Sequence, residues 1–215
     1  MIRAVLWDLD GTLVDSGDYH WRAWLETMRA EGHDLTYQQF LGSFGQRNDR
    51  ILSTWLGPDT PAAVVQRIGD AKEALYRRLA REEGLEPLPG AAEWARRLHA
   101  DGWRQAIASS APRENVRVML DVLGLAQDFD VTVAAEDVTR GKPDPQVFLA
   151  AAARLGVPPS SCIVVEDAAA GIEAARRAGM ACIGVSRTAD LPADVFTRSL
   201  ADLPADTFEA LVGQG

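Results

Sequence analysis

Asp8 and Asp10 stand on either side of one leucine in the stretch AVLWDLDGTLVDS, with Gly11 and Thr12 directly after them. Carboxylates at i and i+2, at the end of an apolar run, can converge on one spot, where their repulsion asks for a cation or a shared proton. A single Asp would be an ordinary strand end; two leave a structural turn and a metal or phosphate site both open. Similar side chains recur after later apolar runs. Ser109 and Ser110 follow the second, Lys142 lies in EDVTRGKPDP after the third, and Glu166 and Asp167 follow the fourth. Each has an ordinary alternative: Ser109 as a helix N-cap, Lys142 as a solvated loop lysine, and Glu166-Asp167 as acidic residues at a helix start. Gly141-Lys142 does not belong to a nucleotide P-loop, because position 136 is Glu rather than Gly.

The elements that must bring these residues together follow from hydrophobic period. AVLW, RQAIAS, DVTVAA, CIVVED and CIGVS read as buried strands, and RENVRVMLDVLG, PQVFLAAAARLG and AAAGIEAARRAG as helices between them. Such alternation predicts an α/β fold, a doubly wound parallel sheet with a Rossmann-like core. Between the first and second strands, DYHWRAWLETMRAEG, RNDRILSTWLG and PAAVVQRIGDAKEALYRRLAREEG carry helical spacing and end at glycines. They predict an inserted α-helical cap domain over residues 16–87, with residues 1–15 and 88–215 forming the core. Ligands in such sheets bind beyond the carboxyl ends of the strands, where Asp8, Asp10, Ser109, Lys142, Glu166 and Asp167 all fall.

Composition narrows the function classes. Over 215 residues the formal charge is −9, which argues against nucleic acid and against an anionic membrane surface. No apolar run approaches a membrane span, and the stretch MIRAVLWDLDG is too short for a signal peptide. Cys162 and Cys182 fall in apolar stretches and read as buried, reduced thiols. The expectation is a cytoplasmic, monomeric protein acting on a small molecule.

DLDGTLVDS, ASSA, RGKPDPQVF and VVEDAAAGIEAARRAGM, in that order, resemble the haloacid dehalogenase-like hydrolase superfamily, within it the branch of small-metabolite phosphatases and β-phosphoglucomutase. The resemblance covers almost the whole chain. It implies that Asp8 is the nucleophile, forming an aspartyl-phosphate, and that Asp10 is general acid and base. Mg²⁺ would be held by Asp8, Asp167 and the Asp10 carbonyl, with Glu166 beside them. Ser109 and neighbouring amides would bind phosphate, with Thr12 and Ser110 completing the set, and Lys142 would neutralise the nucleophile and the developing charge. Ala168 and Gln146 depart from residues frequent in these motifs, which bears on local capping.

The leading expectation is a Mg²⁺-dependent phosphatase of a small phosphorylated metabolite. The runner-up is a phosphosugar mutase. YHWRAW with His20 resembles the mutase's YHFRAW hinge segment, Ser16 stands in the hinge region, and Arg47 resembles a cap arginine that grips substrate. Against the mutase, Tyr76 or Arg77 stands where a substrate-binding lysine is expected. Dehalogenation needs neither Asp10 nor a metal. A noncatalytic binding module would be expected to lack one of Asp8, Asp10, Lys142 or Asp167.

Overall fold

The computed structural model describes residues 2–212. Strand β1 (Ala4–Trp7) leads into helices α1 (Gly17–Ala30), α2 (Tyr37–Leu41), α3 (Asn48–Leu56) and α4 (Ala62–Glu83). The chain then alternates through α5 (Ala91–Ala100), β2 (Arg104–Ala108), α6 (Arg113–Leu123), β3 (Val131–Val133), α7 (Gln146–Leu155), β4 (Cys162–Glu166), α8 (Ala169–Ala178) and β5 (Ala181–Val185). It closes with β6 (Val195–Thr197) and α9 (Thr207–Val212). The strands form one parallel sheet in the order β3-β2-β1-β4-β5-β6. Among the described residues, no helix is long and apolar enough to cross a membrane.

All four residues of β1 are buried, as a strand covered on both faces requires. Val5 and Trp7 join one apolar cluster, with residues of α5, α6 and α9; Ala4 and Leu6 join another, with α7 and α8. Burying a large apolar side chain of this kind stabilises by about 1.5–3 kcal/mol. Gln105, fully buried on β2, is satisfied on three sides. It accepts from the Trp7 indole at 2.9 Å and donates to the carbonyls of Ala95 (2.7 Å) and Asp128 (2.9 Å).

The strand order sets the site. From β1 the chain builds outward through β2 and β3, then crosses to β4 on the other side of β1, so the connections diverge at β1. The carboxyl ends of β2, β1 and β4 therefore line the crevice where the winding reverses.

The four helices α1–α4 pack around their own cluster, which includes Trp24, Met28, Phe40, Ile51, Leu52 and Ile68. They leave and rejoin the core at one place. Val14 bridges to Pro87, and the Leu88 amide donates to the Leu13 carbonyl at 2.8 Å.

Candidate active site

Asp8 follows β1, its amide still in the ladder with Val165 O (3.0 Å). Lys142, from the loop before α7, donates to Asp8 Oδ1 and to Glu166 Oε2, the latter at 2.6 Å. Glu166 ends β4 buried, its other oxygen accepting from the amides of Asp167 and Ala168, both at 3.2 Å. Thr12 Oγ1 reaches Asp167 Oδ1 at 3.4 Å. One carboxylate oxygen from each of Asp8, Glu166 and Asp167 lies within 4.8 Å of the others.

Two glycines make this crowding feasible. Gly11 has φ +87°, and a Cβ there would lie 2.1 Å from Asp167 Oδ2. A Cβ on Gly171, in the first turn of α8, would lie 2.0 Å from Glu166 Oε2.

Three acids share one lysine here. Burial, reinforced by Glu166, pushes Asp8 up to about 7 against the pull of Lys142. Burial with Glu166 and Asp8 pushes Asp167 up to about 9. The Lys142 ammonium, despite burial, is held above its ordinary range by Asp8 and Glu166. Hard oxygen donors short of positive charge fit a small divalent cation such as Mg²⁺, which Asp8, Asp167 and Glu166 would hold.

Asp10 lives differently. Ser16 Oγ donates to its Oδ1, and His20 Nε2 lies 3.1 Å from the same oxygen. Behind His20, Lys72 Nζ is 2.8 Å from Nδ1 and 2.8 Å from Glu73 Oε1. The lysine ammonium has only protons to offer, so Nδ1 is assigned as acceptor and Nε2 as donor to Asp10. Tyr76 stacks on the imidazole with ring centroids 4.1 Å apart, fixing its plane. Burial would raise Asp10, but His20, Ser16 and Lys72 together hold it below the ordinary aspartate range.

Other expected residues sit as follows. Ser109, buried at the end of β2, accepts from the Ala111 amide at 3.0 Å, and its own amide is bound to Val133 O. It does not cap α6; the N-cap position is Pro112, which has no side-chain cap bond. The intervening turn uses up the hydroxyl before the helix begins. Ser110 follows at the same strand end, partly exposed. Arg47 donates to the carbonyls of Ala135 (2.8 Å) and Val138 (3.2 Å), joining the helical insertion to the core. Gln146 closes its loop by accepting from the amides of Thr139 and Arg140, both at 3.0 Å. Ala168 occupies the N-cap position of α8 without a side-chain bond.

One expectation is corrected. A lysine does enter from α4, but from position 72, one turn before Tyr76. Lys72 shares the buried stripe of Ile68, Leu75 and Tyr76, and that stripe faces His20. Behind Lys72, Asn48 and Asn115 both donate to Glu73; Asn48 is readable beside Arg47 as a polar residue of the insertion, whereas Glu73 and Asn115 are not picked out by the sequence. A lysine on an apolar helical stripe was the available signal.

Between the insertion and the Lys142 loop lies a cleft of about 390 Å³, whose wall holds Arg47, Arg50, Arg140 and Arg177 with Asp49 and Asp144, the aspartates pairing with Arg47 and Arg140.

The chain matches the family model of haloacid dehalogenase-like hydrolases over residues 2–179. It is similar to the validoxylamine A 7'-phosphate phosphatase of Streptomyces hygroscopicus subsp. limoneus, 34% identical over 203 residues and 90% of each chain. Similarity to the β-phosphoglucomutase of Bacillus subtilis is 33% over 194 residues, covering 86% of this chain and 84% of that one. The crystal structure of a β-phosphoglucomutase from Clostridium difficile superposes with a TM-score of 0.87 at 27% identity, covering 99% of this chain and 98% of that one. The sheet order, the acids and lysine at its switch point and these matches lead to one assignment: this chain is an enzyme of the haloacid dehalogenase-like hydrolase family.

Proposed function

We propose that the enzyme is a Mg²⁺-dependent phosphatase of a small polyol or sugar monophosphate, working through an aspartyl-phosphate on Asp8. One observation carries the reading: Asp8 and Asp10, two residues apart, have opposite electrostatic settings suited to two different tasks. Lys142 and the crowd of acids beside Asp8 suit it to be the nucleophile, and the hydrogen bonds from Ser16 and His20 suit Asp10 to be the proton-transfer group. Residues 16–87 are taken as the cap and the remainder as the core.

In this mechanism Asp8 attacks phosphorus while Lys142 offsets the negative charge on nucleophile and phosphoryl oxygens. Ser109, Ser110 and Thr12, which follow β2 and β1, would offer hydroxyls to the phosphate oxygens. A bound Mg²⁺ would supply further charge neutralisation to the phosphoryl group. Asp10, held low, starts as the carboxylate. A phosphate dianion brought beside it raises its proton affinity, so Asp10 takes up a proton from solvent as substrate binds, delivers that proton to the leaving alkoxide, and then, again a carboxylate, takes one from the water that attacks the aspartyl-phosphate. The excess of four arginines over two aspartates in the cleft wall would draw anionic substrates to a chain whose net charge is −9.

The similarity to a validoxylamine phosphate phosphatase supports this reading. Phosphate release from sugar, polyol and glycolate phosphates, without a bisphosphate activator and abolished by chelator, tests it. Full activity in excess chelator would overturn the metal-dependent mechanism.

Lys72 favours a second reading, a phosphosugar mutase, because it supplies a buried lysine from α4, which positions 76 and 77 do not. Conversion of β-glucose 1-phosphate to glucose 6-phosphate faster than phosphate appears, and only after bisphosphate priming, would establish it.

A further inference from the structure

Asn115 is completely buried in the first turns of α6, the core helix that follows the Ser109–Ser110 turn. Its amide is held from both sides by α4 of the cap. Arg77 Nη1 donates to Asn115 Oδ1 at 2.8 Å, and Asn115 Nδ2 donates to Glu73 Oε2. Arginine can only donate and an ionised glutamate only accept, so the orientation of the amide is dictated, not free. Glu73 and Arg77 are i and i+4 on one face of α4 and close on Asn115 like a clip. Between them, Tyr76 OH meets Met119 Sδ at 3.1 Å, one turn further along α6.

The clip is continuous with the site. Glu73, buried, also accepts from Asn48 Nδ2 at 2.7 Å and from Lys72 Nζ at 2.8 Å. Lys72 in turn meets His20, and His20 meets Asp10. Every polar group in this buried run has a partner of the correct sense, and it begins and ends on the core, at Asn115 and Asp10.

We propose that Asn115 is a positioning residue: by seating α4 on α6 through Glu73 and Arg77, it places Lys72 and His20 against Asp10 and so sets the proton-transfer step. The inference rests on the reading of Asp10 as acid and base. In its absence α4 keeps its apolar stripe but loses the polar lock that fixes its seat on the core.

A donor–acceptor exchange tests this. In Asn115→Asp, two carboxylates face each other across the clip. In Glu73→Gln, the introduced amide turns its NH₂ either on the Asn115 NH₂ or, reversed, on the Lys72 ammonium and the Asn48 NH₂, and a flip of Asn115 would turn its own NH₂ on Arg77. The double variant combines Glu73→Gln with Asn115→Asp. There the amide introduced on α4 donates to the carboxylate introduced on α6, which still accepts from Arg77. The pattern is restored with no change in net charge. Each single variant should lower kcat on β-glycerol phosphate about tenfold or more, but kcat on p-nitrophenyl phosphate only about threefold, since an aryl leaving group needs little protonation. The double variant should recover to within about threefold of wild type on both. Amide exchange in α4 should quicken in the singles and return to wild-type protection in the double. Equal losses on the two esters, or a double variant worse than either single, would overturn the proposal. If the wild-type enzyme hydrolysed neither ester, the phosphatase reading would fall, and exchange in α4 would then decide the clip alone: unchanged protection in the singles refutes it.

Discussion

Asp8 has Glu166 and Asp167 as neighbours, Lys142 as its cation, and a pKa pushed up to about 7. Asp10, two residues on, has Ser16 and His20 on one oxygen, Lys72 behind them, and a pKa held below the ordinary range. The same residue type at the same strand end is under-compensated in one place and fully partnered in the other. The first arrangement is balanced only by what comes from outside, protons on Asp8 and Asp167 or a cation between them. The second is complete within the protein, and depends on the insertion staying seated. Core chemistry and cap geometry thus meet at two residues separated by Leu9.

Breaking the first half should have the largest effect. Asp8→Asn keeps the shape but removes the nucleophile, so activity should fall on the order of 10³-fold or more, with no phosphoenzyme trapped in a rapid quench. Asp10→Asn comes next. It should slow alkyl phosphates by about 10²–10⁴-fold and p-nitrophenyl phosphate far less. Similar losses on both esters would remove Asp10 from proton transfer.

Gly171→Ala probes the crowding without touching a reactive group. The new methyl must displace Glu166, which is boxed in by Lys142 and two amides, so kcat should drop about tenfold while melting shifts little. Wild-type kcat in that variant would mean that Glu166 can move without consequence.

Metal and pH sharpen the contrast further. Asp8 and Asp167 have folded pKa values, about 7 and about 9, above the ordinary 3.8. Their contribution to stability is therefore fully present below about pH 4 and drains away as pH rises through 7 and 9. Mg²⁺ competes with those protons, so it should raise Tm little at pH 5.5 and by about 3 °C or more at pH 8.5. A shift independent of pH would contradict the charge deficit. Asp137, outside both sets, gives the smallest effect. Hydrogen-bonded first by Arg154, it is held down to about 2, so its stabilisation is present above 3.8 and lost as pH falls through 2. Asp137→Asn should cost about 1 kcal/mol in urea unfolding at pH 7, with the gap to wild type closing near pH 2.

Much of this was legible in the chain. The five predicted strands form in order because buried parallel strands are written as short apolar runs between glycine- and aspartate-rich turns. The helices α1, α3 and α4 end beside the glycines that marked them. β6 was not foreseen, since its three half-buried residues on an edge carry no pattern. The five-residue α2 is held by a Thr36–Gln39 capping box rather than by any apolar period. At the site, residues at strand ends were readable because the sheet itself aligns them. Lys72, Glu73 and Asn115 were not, and Asn48 was readable only as a polar residue beside Arg47, because the four come from three helices of two different units and meet only when those units pack.

The pairing of Val14 with Pro87, and of Leu88 with Leu13, has a further consequence. Because the two connecting segments lie side by side, the core meets the insertion as it would a tight turn: two ends already in register. The entropy of joining them grows only slowly with what lies between. The insertion can therefore lengthen, shorten or be exchanged with little burden on the sheet that carries Asp8. A transplanted insertion from a relative should fold onto this core, and should bring its own choice of substrate with it.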